Sequence, residues 1–135
     1  MNAFVLYLQQ PGSRDRIDGV HDFIAEDASG SFGIRPGHER MITVLSYGLA
    51  QYRGGEGEWT YLAVPGGLLY FVDNELYICS RRLSRHCDPT EAARELANRR
   101  AAEELERARA QGTLKSLERE MLKRLLEIGG EPAGR

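Results

Sequence analysis

Apolar residues in the first two thirds of the chain come in short runs separated by turn-forming residues. Phe4 to Leu8 is such a run and ends at Gln10-Pro11-Gly12-Ser13. Ile17 to Ala25 carries Val20, Phe23 and Ile24 and stops at Asp27-Ala28-Ser29-Gly30. Met41 to Ser46 follows, then Leu49 to Arg53, which ends in Gly54-Gly55-Glu56-Gly57. Trp59 to Val64 runs into Pro65-Gly66-Gly67, Leu68 to Val72 turns at Asp73-Asn74, and Glu75 to Ser80 completes the series. Short β-branched and aromatic runs bounded by Gly, Pro, Asn and Asp are the signature of strands in an antiparallel sandwich or barrel. Mixed alternation along Trp59 to Val64 predicts strands covered on both faces.

From Asp88 onward the period changes from two to between three and four. Asp88, Pro89 and Glu91 form a helix start, with a capping carboxylate, a proline at the first helical position and an acid in the first turn. Ala93, Leu96, Ala97, Ala101, Leu105 and Ala108 then mark one predicted helical stripe. Gln111-Gly112-Thr113 reads as a break, because Gly suits a left-handed cap and Thr can cap a new helix. Leu114, Leu117, Met121, Leu125 and Ile128 mark a second stripe, widened by Leu122 and Leu126. The expected architecture is therefore mainly β plus α: an N-terminal antiparallel β-sandwich or barrel over residues 1–87, an antiparallel two-helix hairpin over 88–128, and a frayed tail over 129–135.

Composition sharpens this division. The one Trp, six Tyr and four Phe all lie at or before Tyr77. The formal net charge of -2 provides no global basic field for nucleic acid or an anionic membrane. No apolar run approaches the roughly 20 residues of a membrane-spanning helix, and the first residues lack a signal-peptide pattern, so no direct membrane insertion is expected. Cys79, His86 and Cys87 have the wrong spacing and number for a zinc site, so no metal is expected and both cysteines read as reduced thiols. His38 has no nucleophile or acid partner evident in the sequence, so no catalytic residue is assigned.

The densest cluster of turn residues is Gly30-Ser31-Phe32-Gly33-Ile34-Arg35-Pro36-Gly37-His38, read as an ordered loop that presents Ser31, Phe32, Ile34, Arg35 and His38 to a partner. This run resembles the G-x-G-I-x-P-G-H loop of the epsilon subunit of F-type ATP synthases. Gly66-Gly67-Leu68-Leu69 through Val72 and Asn74-Glu75-Leu76-Tyr77-Ile78 are similar to the two strands that follow in that family, and Arg99-Arg100-Ala101-Ala102-Glu103-Glu104 to a stretch of its first helix. After His38 the chain departs from the family pattern: Met41-Ile42-Thr43-Val44-Leu45-Ser46-Tyr47-Gly48 has no Pro before the Gly. The Ser31-Phe32-Gly33 variant is similar to the epsilon-like subunits of alternate, sodium-translocating synthases.

The resemblance implies a non-catalytic central-stalk subunit that binds the gamma subunit and the c-ring. Its place would be peripheral, on the cytoplasmic face of the inner (plasma) membrane. Its C-terminal helices would inhibit ATP hydrolysis by bringing Lys115, Arg119, Lys123 and Arg124 to the catalytic alpha/beta subunits. Some members bind ATP as a regulatory ligand through an Ile/Leu-Asp-x-x-Arg-Ala motif. Here Thr90-Glu91-Ala92-Ala93-Arg94-Glu95 keeps only the arginine. Arg94 and Arg99 are the candidate nucleotide contacts, against the negative charge of Glu91 and Glu95, and no cofactor is expected. The alternative reading of the same residues is a non-catalytic protein-binding module with a dimerising helical hairpin.

Overall fold

The computed structural model describes residues 2–130. Eight strands precede one helix: β1 (Phe4–Gln10), β2 (Ser13–Val20), β3 (Asp22–Asp27), β4 (Gly30–Ile34), β5 (Met41–Arg53), β6 (Thr60–Val72), β7 (Glu75–Cys79), β8 (Ser84–His86) and α1 (Pro89–Gly130). The hydrogen-bonded order is β2-β1-β7-β6-β5-β3-β4, with β8 also on β6. All neighbours are antiparallel except β1 and β7, which run parallel.

The two long strands make the sandwich. β5 and β6 pair as Met41–Leu45 with Gly67–Phe71, then resume as Tyr47–Tyr52 with Thr60–Pro65. The first stretch continues the ladder through β7, β1 and β2; the second carries β3, β4 and β8. The bend between them lies at Gly66 (φ 82) and Gly67 (φ 154). Apolar side chains from both layers fill one core: Phe4, Leu6, Leu8, Leu69, Phe71, Leu76 and Ile78 meet Phe23, Ala25, Ile34, Leu62 and Val64. Asp73 and Asn74 hold φ 49 and 58, the positive pair that a tight hairpin between β6 and β7 demands.

Several boundaries differ from the sequence expectation. The run from Gly30 was read as loop, but Gly30–Ile34 is strand β4, hydrogen-bonded along β3 from Phe23↔Ile34 to Asp27↔Gly30. Phe32 and Ile34 alternate inward with a period of two, and the turn shrinks to Arg35–His38, where Gly37 has φ 84 and the His38 amide donates to the Arg35 carbonyl at 3.1 Å. The predicted strand over 17–25 is divided between β2 and β3, and the predicted pairs 41–46/49–53 and 59–64/68–72 are each fused into one bent strand.

The expected two-helix hairpin is not what forms. α1 is one helix of 42 residues that passes through Gly112 without a break. A glycine inside a helix costs about 1 kcal/mol relative to alanine, too little to stop propagation between strong formers on both sides. The predicted tail begins inside this helix, since Gly129 and Gly130 belong to α1, and its remaining residues, 131–135, lie outside the described ones.

The chain divides into two units, Met1–Asn98 and Arg99–Arg135. The first contains the sandwich and the opening turns of α1. The Asp88 carboxylate accepts the Thr90 amide at 2.8 Å, the expected cap. Ala92 and Leu96 are buried, whereas Ala93 and Ala97 of the predicted stripe are exposed. The Tyr47 hydroxyl donates to the Leu96 carbonyl at 3.1 Å and the Ser84 hydroxyl to Glu95, so β5 and β8 hold the helix start.

In the second unit, Leu114, Leu117, Met121, Leu125 and Ile128 are exposed along one side. At about 100° per residue, Ala101, Leu105 and Ala108 fall on nearly the opposite side of the same helix. The two predicted stripes therefore do not form a single seam, because the helix continues where a turn was expected.

Candidate interaction surface

The first layer has an outer face that is not covered. Ile42 and Val44 of β5 are 68% and 69% exposed; their partners on β6, Tyr70 and Leu68, are 40% and 41% exposed. Large apolar side chains of one β-strand facing water beside those of the next form a contiguous patch, which in soluble proteins marks an interaction site. A shallow groove of about 500 Å³ adjoins it, lined by Val44, Pro65, Gly66, Gly67, Cys79 and Arg81. Sequence reasoning did not single out Ile42, Val44, Leu68 or Tyr70. The signal was present in Met41-Ile42-Thr43-Val44-Leu45, which is apolar on both faces although only one can meet the core.

The turn after β4 lies at the end of this layer. The Gly37 amide donates to the Asn74 side-chain oxygen at 2.7 Å, and the His38 ring stands edge-on to Phe71 at 5.8 Å. His38 Nδ1 donates to the Glu39 carbonyl at 2.7 Å, which places a proton on that nitrogen. The loop is thus pinned to the β6–β7 hairpin rather than free.

Of the five loop residues predicted to contact a partner, Ser31, Arg35 and His38 are exposed and Phe32 is half-buried against the core. Ile34 is fully buried. It is a core residue and cannot serve as a contact; its inward position follows from the strand alternation that the loop reading overlooked.

Arg35 has a further role. Its Nε donates to Asp22 Oδ1 at 3.0 Å, while Arg53 Nε donates to Asp22 Oδ2 at 2.9 Å and His21 Nδ1 approaches the same oxygen at 3.4 Å. Arg53 also stacks on Trp59, 4.6 Å from the ring centre. Asp22 is the one buried charged residue among the described ones, and it joins the ends of β3, β4 and β5. Burial pushes its carboxyl up, but the hydrogen bonds from Arg53, His21 and Arg35 outweigh burial and hold it below the usual carboxylate range. A carboxyl whose folded pKa is depressed contributes stability that is present above its unfolded pKa, about 4, and is lost as pH falls through the folded value. Asp22→Asn is expected to cost about 1–3 kcal/mol at neutral pH and to flatten the loss of stability below about pH 4. Thermal melts across that range check this; an unchanged acid limb would show that the clamp is not what titrates.

Lys115, Arg119 and Lys123 are exposed on α1 at intervals of four and line one face, away from Leu117, Met121, Leu125 and Ile128 but beside Leu122 and Leu126. Arg124 lies off that row and pairs with Glu120 at 3.8 Å. Arg94 and Arg99 stand five residues apart, about 140° around the helix, so the helix does not bring them together. Cys79 is half-buried and Cys87 exposed, both as free thiols. Among the described residues, no three metal-ligating side chains cluster and no helix is long and apolar enough to cross a membrane.

Residues 17–86 match the family model described as the ATP synthase, delta/epsilon chain, beta-sandwich domain. The ATP synthase epsilon chain of Streptomyces avermitilis is 37% identical over 89 residues, which is 66% of each chain. An ATP synthase epsilon chain 2 of Cereibacter sphaeroides is 44% identical over 52 residues, 38% of this chain and 36% of that one. The chain thus spans just under two thirds of the first relative and about a third of the second. Among solved structures, a chain in the OSCP/F1/c-ring part of the Euglena gracilis mitochondrial ATP synthase superposes with a TM-score of 0.59 at 19% identity, covering 75% of this chain and 66% of that one. A chain in the central stalk/c-ring part of the Tetrahymena thermophila mitochondrial enzyme gives 0.52 at 20%, covering 59% and 64%. At these identities the two likenesses concern the fold. A bent-strand sandwich with a pinned Gly-Ile-Arg-Pro-Gly-His turn, matched by the family model over residues 17–86, places this chain in the ATP synthase delta/epsilon family.

Proposed function

We propose that this chain is the epsilon subunit of the central stalk of an F-type ATP synthase. The sandwich, residues 1–87, binds the gamma subunit through the outer face of β5 and β6. The Arg35–His38 turn, with Ser31 and Phe32 beside it, rests on the c-ring. The subunit then turns with the rotor and carries no chemistry of its own. The observation that carries this reading is the exposed Ile42/Val44/Leu68/Tyr70 patch next to the pinned turn. Two faces for two partners are what a coupling element requires. The names of the relatives and the central-stalk setting of one structural neighbour support it. A place in such an assembly would put the chain at the cytoplasmic face of the plasma membrane, held there by the c-ring.

Residues 88–128 are the regulatory part in this reading. At about 1.5 Å per residue, the 42-residue α1 is about 63 Å long. The exposed Lys115/Arg119/Lys123 row pairs with acidic residues of the catalytic alpha/beta subunits and so brakes ATP hydrolysis. The alternative, a binding module that dimerises through its helical part, is separated by one experiment. The full chain is co-expressed with gamma and the c-ring subunits of its own synthase and the products are sized. The proposal expects a complex with one copy per gamma; a homodimer indifferent to gamma would overturn it.

A further inference from the structure

The outer face does not end at the aliphatic patch. Strand register places Ile42, Tyr70, Tyr77, Tyr7 and Arg16 in one row across β5, β6, β7, β1 and β2. The next row is Val44, Leu68, Cys79, Gln9 and Arg14. Both rows pass from branched aliphatic side chains to an arginine. The rings form a ladder: Tyr70 stacks on Tyr77 at 5.1 Å and Tyr77 on Tyr7 at 4.8 Å. Arg14 closes it, its guanidinium 4.6 Å from the Tyr7 ring centre and 5.7 Å from that of Tyr77.

The charges on this ladder are not equivalent. Glu75 accepts from the Tyr77 hydroxyl at 3.1 Å and from the Tyr7 hydroxyl at 3.4 Å, so its carboxylate is engaged. Arg16 is 5.8 Å from the Tyr7 ring and pairs with Asp18 at 3.0 Å. Arg14 is exposed, held by rings alone, with no carboxylate of the described residues in salt-bridge range. Stacking on the two rings restricts its side chain, so less ordering entropy would be lost on pairing with an acidic partner.

We propose that this gradient is a single docking surface, and that the partner segment lying across the strands carries apolar side chains over Ile42, Val44 and Leu68 and a carboxylate over Arg14. Four strand spacings of about 4.8 Å separate β5 from β2, about 19 Å, but the Arg14 guanidinium reaches back over Tyr7 and Tyr77 of β1 and β7, so the carboxylate and the apolar anchors stand closer than that. The occupant is a protein segment. An anionic membrane surface would meet the Glu75 carboxylate on the same face, and the chain's formal net charge of -2 works against it. The inference rests on the stalk reading and identifies gamma's contribution by its chemistry.

The test titrates gamma with the full-length chain and three variants at low and high salt. Arg14→Glu is expected to weaken binding by about tenfold or more at low salt and by less at high salt, while Arg14→Lys, which keeps the charge but loses the planar stack, weakens it by a smaller factor than Arg14→Glu. Val44→Asp is the internal control for the apolar end. If Val44→Asp abolishes binding and Arg14→Glu changes nothing, the carboxylate pairing is wrong and the stalk reading survives. If neither variant weakens binding, the face itself is wrong. Co-sedimentation with phosphatidylglycerol vesicles that depends on Arg14 would replace the protein partner by a membrane.

Discussion

Replacing Val44 with Asp is expected to weaken binding to gamma by at least about a hundredfold, equivalent to about 2.7 kcal/mol, while leaving the chain folded. Val44 is 69% exposed and its side chain touches no part of the core cluster. In the free chain the new carboxylate would stay hydrated, and the cost is the modest loss of β-propensity, under about 1 kcal/mol. In the complex the same group would be buried beside Ile42 and Leu68, and taking a carboxylate out of water into an apolar contact costs several kcal/mol. The asymmetry between free and bound states makes the variant diagnostic. Calorimetric titration gives the affinity and a thermal melt gives the fold. An unchanged affinity would remove β5 from the interface.

Gly67→Ala should have the largest effect on the fold, lowering stability by about 3 kcal/mol or more and the melting temperature by more than about 10 °C. A Cβ built on Gly67 would stand 2.3 Å from the Cys79 carbonyl oxygen and 3.1 Å from the Ser80 Cβ, and φ is 154. The obstacle is backbone, fixed by the Leu68↔Cys79 pairing, so it cannot move aside as a flexible side chain would. The Ser80 hydroxyl, which donates to the Gly66 carbonyl at 2.6 Å, ties the same junction. Gly48→Ala is the matched control: it lies in β5 with nothing within 4 Å of its Cβ and ordinary backbone angles. A Gly67→Ala melt no lower than that of Gly48→Ala would show that the bend of β6 does not depend on close approach.

Most strands were legible because turn residues punctuate apolar runs. Asp73-Asn74 between Val72 and Glu75 is the clearest case, and it forms the expected hairpin. Glycine misled the reading where it acts inside a strand. Gly30 and Gly33 disguised β4, although Phe32 and Ile34 keep its period of two. Pro65-Gly66-Gly67 read as a stop but is a bend that lets one strand serve both layers. Gly112 read as a helix end, but nothing near it stabilises a left-handed cap strongly enough to offset continued helix. β8, Ser84-Arg85-His86, has no apolar signal; it forms because β6 offers an edge.

The candidate site was half visible. The Gly-Ile-Arg-Pro-Gly-His turn announces itself, and Arg35 and His38 lie on its surface. The Asp22 clamp depends on positions 22, 35 and 53 meeting in space, and the tyrosine ladder depends on strand register. Neither is a property of nearby sequence.

Hydrogen–deuterium exchange on the complex of the full chain with gamma and the c-ring reads both proposed contact faces at once. New protection is expected over Met41–Leu45 and Leu68–Val72, with a second protected segment at Arg35–His38. Protection confined to other strands, or no complex at all, would contradict the proposed contacts.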